Sequence, residues 1–316
     1  MRLRRSTPGG PGFGRRRRGG GFGYTDQDGA RLTDAEHLAR IKALVIPPAW
    51  RQVWISPHHN GHIQAVGVDE AGRRQYLYHE AWRRERDEEK HARVLALAPL
   101  LPGFRERIAR DLRGRDRALP LALTLLERGA FRVGGESYAE DNGSHGVATL
   151  LCSHVTVRGS AVDFRYPAKS GVRFTATVED DAVARTVRLL LRGRKRRDRL
   201  LVRKDGGQVR SDDVNVRFKE LVGEEFSVKD LRTWHATVVA ARAFAAAGDP
   251  GTERGRRRVE AEVMREVAVR LGNTPAVARK SYVDPRLVEL FRAGKVLRVR
   301  GKGREAEEAA VLRLLR

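Results

Sequence analysis

Apolar residues change their spacing several times along the chain. Between residues 52 and 78 they fall into short runs, Gln52–Ser56, Ile63–Val68 and Arg74–Tyr78, with turn-forming stretches around Gly61 and Gly72. Alternation over so few residues, bounded by glycine, predicts strands. Upstream, Thr33-Asp34-Ala35-Glu36 reads as a capping box with Thr33 at the N-cap. A helix is therefore predicted to about Leu44, closed by Pro47-Pro48. This small sheet domain is expected to end near Arg83.

From Ala81 to about Ala130 the spacing is helical, with breaks near Pro99–Gly103 and Arg113–Pro120. Val155/Val157, Val162/Phe164/Tyr166 and Val172/Phe174/Ala176 then alternate with polar residues, which predicts a three-stranded meander. Arg158-Gly159-Ser160 joins its first two strands and Ala168-Lys169-Ser170-Gly171 the second and third, placing Lys169 at a hairpin tip. Helices are predicted at about 179–192, 212–222, 228–247 and 256–271, with Ser211 and Ser227 as N-caps and Gly248 and Gly272 as stops. Thr274-Pro275 and Asp284-Pro285 each start a further short helix with a cap and a first-turn proline. Tyr282 falls at the break between those two. The expected class is α+β: a small N-terminal antiparallel β-sheet domain (23–83), then a larger, mainly α-helical domain (84–295) containing the three-stranded β-meander. A disordered Gly/Arg-rich tail (1–22) and a basic C-terminal tail or helix (296–316) are expected to flank them.

Charge narrows the function. The 316 residues carry a formal net charge of +23, and 41% are hydrophobic, so the chain has the means to fold and the charge to meet an acidic partner. No apolar run is long enough to span a bilayer, and the arginine-rich start lacks the apolar core of a secretion signal. A single cysteine, Cys152, forbids an internal disulfide and argues against a zinc cluster. His58-His59-Asn60-Gly61-His62 has no cysteine or acid beside it, so a turn is expected there rather than a metal site. Arg15–Arg18 are read either as part of a solvated tail or as extra non-specific phosphate contacts, and the Arg192–Arg199 stretch as a basic loop that contacts phosphate. The expectation is a cytoplasmic, nucleoid-associated monomer that binds double-stranded DNA and engages no membrane.

Five segments carry candidate chemistry: Phe131-Arg132-Val133-Gly134, Tyr166-Pro167-Ala168-Lys169-Ser170-Gly171, Lys229-Asp230-Leu231-Arg232-Thr233, Leu271-Gly272-Asn273-Thr274-Pro275 and Lys280-Ser281-Tyr282-Val283-Asp284-Pro285. A phosphodiester resists nucleophiles because attack builds charge on its non-bridging oxygens. Fixed cationic donors aimed at those oxygens lower that barrier. Arginine suits the task through its planar, permanently charged fork, so Arg132 and Arg232 are the candidates, with Asn273 as a neutral donor. A sugar hydroxyl leaves poorly and needs a proton, for which Lys169 is the candidate acid. Tyr282 is the candidate nucleophile. No phosphate loop for ATP and no clustered acids for a two-metal site occur, so no cofactor is expected. Each of these residues taken alone has an ordinary structural role open to it; their order along the chain is what makes a set.

In that order the segments resemble the poxvirus-like and bacterial branch of the type IB DNA topoisomerases, over roughly residues 24 to 295. Gly61-His62-Ile63-Gln64-Ala65-Val66-Gly67 and Gly72-Arg73-Arg74-Gln75-Tyr76-Leu77-Tyr78-His79 look like the family's small DNA-closing domain. Matching Gln75, Tyr76 and Tyr78 implies base-edge and phosphate contacts. The resemblance implies nicking by Tyr282 with a 3′-phosphotyrosyl link, rotation of the free end and religation without ATP. It implies Lys169, aided by Arg132, as the proton donor to the 5′-oxygen, with Arg132, Arg232 and Asn273 holding the phosphate. Many members carry histidine where Asn273 stands, so here that position is expected to donate a hydrogen bond and not a proton. His235, three residues beyond Arg232, is expected to be a packed structural histidine, while Tyr138, Asp141 and Asn142 are as easily a capped loop as a support for Arg132. A hinge near Arg83–Glu89 is expected between the two domains.

Two rival readings remain open on the sequence. A tyrosine recombinase shares the nucleophile and cations, although such enzymes usually carry histidine where Lys229 stands. A non-enzymatic architectural DNA binder accounts equally well for the charge, but not for the order of the segments.

Overall fold

The computed structural model describes residues 2–129 and 131–316; the side chains of Ser137, Tyr138 and Ser170 also lie outside the described residues. The chain divides into two compact units, Met1–Glu89 and Lys90–Arg316.

The first unit is built on strands β1 (Phe13–Arg18), β2 (Gly21–Thr25), β3 (Arg51–Ile55), β4 (Ile63–Val68) and β5 (Arg74–Tyr78), with helix α1 (Ala35–Ala43) between β2 and β3. The sheet order is β2-β1-β3-β4-β5 and every pairing is antiparallel. Phe13, Val53, Ile55 and Ala65 cluster with Ile41 of α1, so one face of the sheet is closed by the helix. The cap of α1 is Asp34, whose carboxylate accepts from the His37 amide at 2.7 Å, one residue later than the Thr33 cap expected from sequence. A carboxylate at this end also meets the helix dipole favourably, which a hydroxyl does not.

The Gly/Arg stretch is not a free tail. β1 lies inside the sheet between β2 and β3. Ladder pairing needs main-chain groups rather than apolar side chains, and Phe13 supplies the one core residue required. Arg15 is tied down by the carbonyls of Ile46, Pro47 and Trp50 at 3.0, 2.9 and 2.7 Å and stacks on Phe22.

Helix α2 (Glu80–Leu97) contains the boundary between the units, so the stretch expected as a hinge, Arg83–Glu89, is helical. The second unit continues with α3 (Leu101–Asp111), α4 (Ala118–Glu127) and α5 (Glu136–Asn142). The meander follows as β6 (Val155–Arg158), β7 (Ala161–Pro167) and β8 (Arg173–Glu179). Then come α6 (Asp181–Leu191), α7 (Ser211–Val222), α8 (Val228–Ala247), α9 (Glu253–Leu271), α10 (Pro275–Ser281), α11 (Pro285–Arg292) and α12 (Arg304–Leu315). The fold is α+β as the spacing predicts, with the meander in the order β6-β7-β8. Alternation along β7 buries Val162, Phe164 and Tyr166 against the helices.

Of the two forms expected for the C-terminal segment, residues 304–315 take the helical one, locked to the unit by a ring of four charged side chains. Arg105 of α3 binds Glu127 at 2.6 Å and both oxygens of Glu308 at 2.8 and 2.6 Å. Arg304 closes the ring onto Glu308 and Glu127, each at 3.0 Å. Both carboxylates are buried, so their attraction to the arginines is weakly screened. Removing one partner strands buried charge. Arg105→Ala is therefore expected to destabilise the second unit by about 3 kcal/mol in urea unfolding, whereas Ala substitution of the exposed pair Arg257–Glu253 is expected to change it by less than about 1 kcal/mol.

Candidate active-site cleft

The second unit contains a cleft of about 1150 Å³ whose wall includes Arg132, Lys169, Asn273 and Tyr282. Four of the five residues singled out from sequence thus share one cavity, although they are up to 150 residues apart (282 − 132). The fifth, Arg232, is buried beneath it.

Arg132 leaves α4 through a tight turn. Gly129 has φ +82, and a Cβ there would lie 2.6 Å from the His235 ring, so a side chain is excluded by both backbone and space. Phe131 is fully buried against Phe164 and Phe174. The carbonyl of Arg132 accepts from the Val147 amide at 2.8 Å, and its guanidinium donates to the Gly272 carbonyl at 2.9 Å.

Arg232 comes from α8, whose first turn is fixed by Asp230. That carboxylate accepts from the Ser227 amide at 2.8 Å and pairs with Arg93 at 3.0 Å. Its neighbour Arg232 is 5% exposed and donates to the carbonyls of Phe131 at 2.9 Å and Leu271 at 2.7 Å. Burial holds the Arg232 guanidinium below its ordinary value, a shift partly offset by the Tyr282 phenol beside it. Its central carbon lies 5.6 Å from the Tyr282 ring centre.

The carboxyl end of α9 brings these pieces together. Gly272 adopts the left-handed conformation (φ 60, ψ 51), and the Asn273 amide donates back to Ala268 at 3.0 Å. This turn ends the helix and leaves the Leu271 and Gly272 carbonyls for the two arginines. Asn273 follows on the cleft wall, and both polar atoms of its side chain are buried without a hydrogen-bond partner among the described residues. A buried amide left unsatisfied is uncommon in folded proteins.

Thr274 caps α10, accepting from the Val277 amide at 3.3 Å, with Pro275 in the first turn. Tyr282 ends that helix, half-buried, and its carbonyl accepts from Thr237 at 3.4 Å. Asp284 caps α11 two residues later and binds Arg286 at 2.7 Å. Capped helices on both sides fix the main chain around Tyr282. Lys169 sits in the turn between β7 and β8, exposed and without a hydrogen bond or ion pair among the described residues. Asp141 and Asn142 are exposed on α5.

Tyr166 gains its meaning only from the structure, and His235 is the packed histidine expected from sequence. Tyr166 is buried next to both arginines, and burial drives its phenol above the ordinary range, so it remains a neutral filler beneath them. His235 lines the cleft but is lowered to about 3, chiefly by burial and then by Arg304, and is uncharged at neutral pH. Nothing in the sequence separates Tyr166 from any other inward strand residue.

In the first unit the three resemblance-derived positions divide. Tyr76 and Tyr78 are exposed on one face of β5, their rings stacked at 5.9 Å. Gln75 has the opposite parity and donates to Asp69 at 2.9 Å. The His58–His62 stretch is a turn, with the Gln64 amide donating to the carbonyls of His59 and Gly61 at 3.0 and 2.7 Å. Among the described residues no helix is long and apolar enough to cross a membrane.

Comparison with known proteins agrees across both units. A family model described as the eukaryotic DNA topoisomerase I catalytic core matches residues 79–293, and one described as the bacterial DNA topoisomerase IB N-terminal domain matches residues 21–69. The chain belongs to the type IB DNA topoisomerases, isomerases that bind DNA and change its topology. The DNA topoisomerase 1B of Acanthamoeba polyphaga mimivirus is 29% identical over 293 residues, covering 89% of this chain and 87% of that relative.

Buried histidines give the second unit a pH dependence. Burial, with His145 alongside, lowers His154 from 6.5 to about 4. The unfolded chain then binds the proton more tightly than the folded one, so stability is full above pH 6.5 and is lost as pH falls toward about 4. The melting temperature should decline across that window, and His154→Asn should make the decline shallower, leaving the share of His235, which burial also lowers.

Proposed function

We propose that this protein relaxes supercoiled duplex DNA, as a monomer, through a transient single-strand break held on Tyr282. The phenolic oxygen of Tyr282 attacks phosphorus, and the bond from phosphorus to the 5′-oxygen breaks. The phenol gives its proton to solvent, and the Lys169 ammonium gives one to the departing oxygen. One phosphodiester is exchanged for another, so the reverse attack by the 5′-hydroxyl needs no ATP. Between the two steps the free end rotates about the intact strand. Arg132, Arg232 and Asn273 carry the charge that develops on the non-bridging oxygens.

The observation that supports this reading is the shared cleft: the candidate nucleophile, the candidate acid and two of the three candidate donors, Arg132 and Asn273, line it, and the Asn273 side-chain amide is unsatisfied among the described residues. Tyr282→Phe is expected to retain DNA binding while abolishing relaxation and any covalent protein–DNA adduct on denaturing gels. An undiminished relaxation rate, or an adduct that maps to another side chain, would overturn the assignment. Asn273→Ala loses no hydrogen bond in the free protein, so its melting temperature should not fall. Its single-turnover cleavage should nonetheless slow by about 100-fold, the usual effect of removing one charge-stabilising donor.

A further inference from the structure

The sheet of the first unit has two faces, and strand register assigns every side chain to one of them. Phe13 pairs with Ile55 and Ile55 with Ala65, which fixes the face closed by α1. Gly14 pairs with Trp54, Trp54 with Val66 and Val66 with Tyr76, which fixes the outer face. Along β1 the parity of Gly14 continues to Arg16 and Arg18. Their partners on β2 are Gly23 and Gly21, so the neighbouring strand presents no side chain there. A Cβ built on Gly23 would meet the Arg18 side chain at 3.8 Å, which places that side chain on the same face. Arg15 has the other parity and is consumed by the carbonyls of Ile46, Pro47 and Trp50.

Arg51 reaches the outer face by a different device. It pairs with Val68 while Trp54 pairs with Val66, so Gln52 and Val53 together oppose Gly67. That is a β-bulge, and Gln52 takes the left-handed conformation (φ 48) that a side chain ordinarily avoids. In a regular strand Arg51 would face α1; the extra residue turns it outward. Val68 in turn pairs with Arg74, whose guanidinium lies over the Tyr76 ring.

Arg16, Arg18, Arg51 and Arg74 therefore share one face and one end of the sheet with Tyr76 close by. All four are exposed, and none of their side chains has a carboxylate partner among the described residues. Like charges on neighbouring strands repel. The N-terminal stretch crosses the other end of this face, through Arg4 with Asn60 and Gly10 with Trp54, and leaves the arginine end open. Arg16 and Arg18 stand about 7 Å apart along β1, close to the rise of two base pairs.

We infer that Arg16, Arg18 and Arg51 form a phosphate-binding track that extends the Tyr76–Tyr78 face, so that the arginine hairpin and the bulge of β3 bind the backbone of the same duplex. This deepens the DNA-binding reading above and rests on it. The occupant is duplex DNA, contacted through its backbone and therefore without sequence preference.

The test uses the full chain and a labelled duplex of about 20 base pairs, with affinity measured across a salt series. Each phosphate neutralised contributes about 0.9 to the slope of log affinity against log salt. The triple variant Arg16→Ala, Arg18→Ala, Arg51→Ala should lower that slope by about 2 to 3, each single substitution by about 1, and the corresponding triple lysine variant should restore it. Arg17→Ala removes an equally exposed charge from the other face and should change the slope by less than about half a unit. An unaltered slope in the triple variant and the singles, or a loss with Arg17→Ala as large as that of Arg16→Ala, overturns the track. A wild-type chain that fails to bind the duplex at any salt overturns the DNA reading itself, a result the variants would not be needed to see.

Discussion

The second unit turns on the carboxyl end of α9, where two successive main-chain carbonyls hold two arginines. Leu271 accepts from Arg232 and Gly272 from Arg132. Such carbonyls are orphans of helix geometry and carry the negative end of the helix dipole, so cations are the partners they favour. The left-handed turn at Gly272 is what aims them. A side chain at that position would strain the turn, and the two guanidiniums would lose their common anchor.

Everything deeper in the unit supports that anchor. Arg232 is buried and reaches Phe131 as well as Leu271, so it joins the irregular stretch that begins at Phe131 to the end of α9. Phe131 is held by two aromatic rings of the meander, and Gly129 lets His235 close against the turn. His235 touches Arg304, which belongs to the charge ring that fastens α12. A helix beyond the matched family core thus packs onto the wall of the cleft. The two carboxylates of that ring are buried and each is paired with both arginines, an arrangement that specifies one docking geometry because any slip leaves a carboxylate unpaired.

What could be read in advance follows from how local each signal is. The caps Thr274 and Asp284 and the prolines after them act within one helical turn, and the breaks around Tyr282 lie where those residues put them. The meander was legible because strict alternation over the seven residues of β7 fits a strand and no helix. β1 was not, because its stability comes from ladder pairing with strands up to 42 residues away (55 − 13), while its composition is that of a tail. The docking of α12 depends on Arg105 and Glu127, roughly 200 residues upstream of Glu308, and no local pattern carries that distance. Gln75 and Tyr76 stand side by side in the motif, yet strand parity sends them to opposite faces. The motif names residues; only register says which of them share a surface.

The cleft divides its polar groups into two kinds. Arg132 and Arg232 are committed to carbonyls, whereas Lys169 and Asn273 have no partner among the described residues. In the proposed reaction that division matches the work required. A guanidinium has five donors, so Arg132 keeps most of its capacity for phosphate oxygens after binding Gly272, with its position already fixed. Fixed charge is effective because it need not reorganise as the transition state forms. A proton donor needs the opposite property. It must follow an oxygen that moves as the strand breaks and returns, and an exposed lysine in a turn between strands has that freedom. In the proposed reaction the anchored cations and the exposed candidate acid therefore stand on different elements, α8 with the stretch after α4 for the first, the β7–β8 turn for the second.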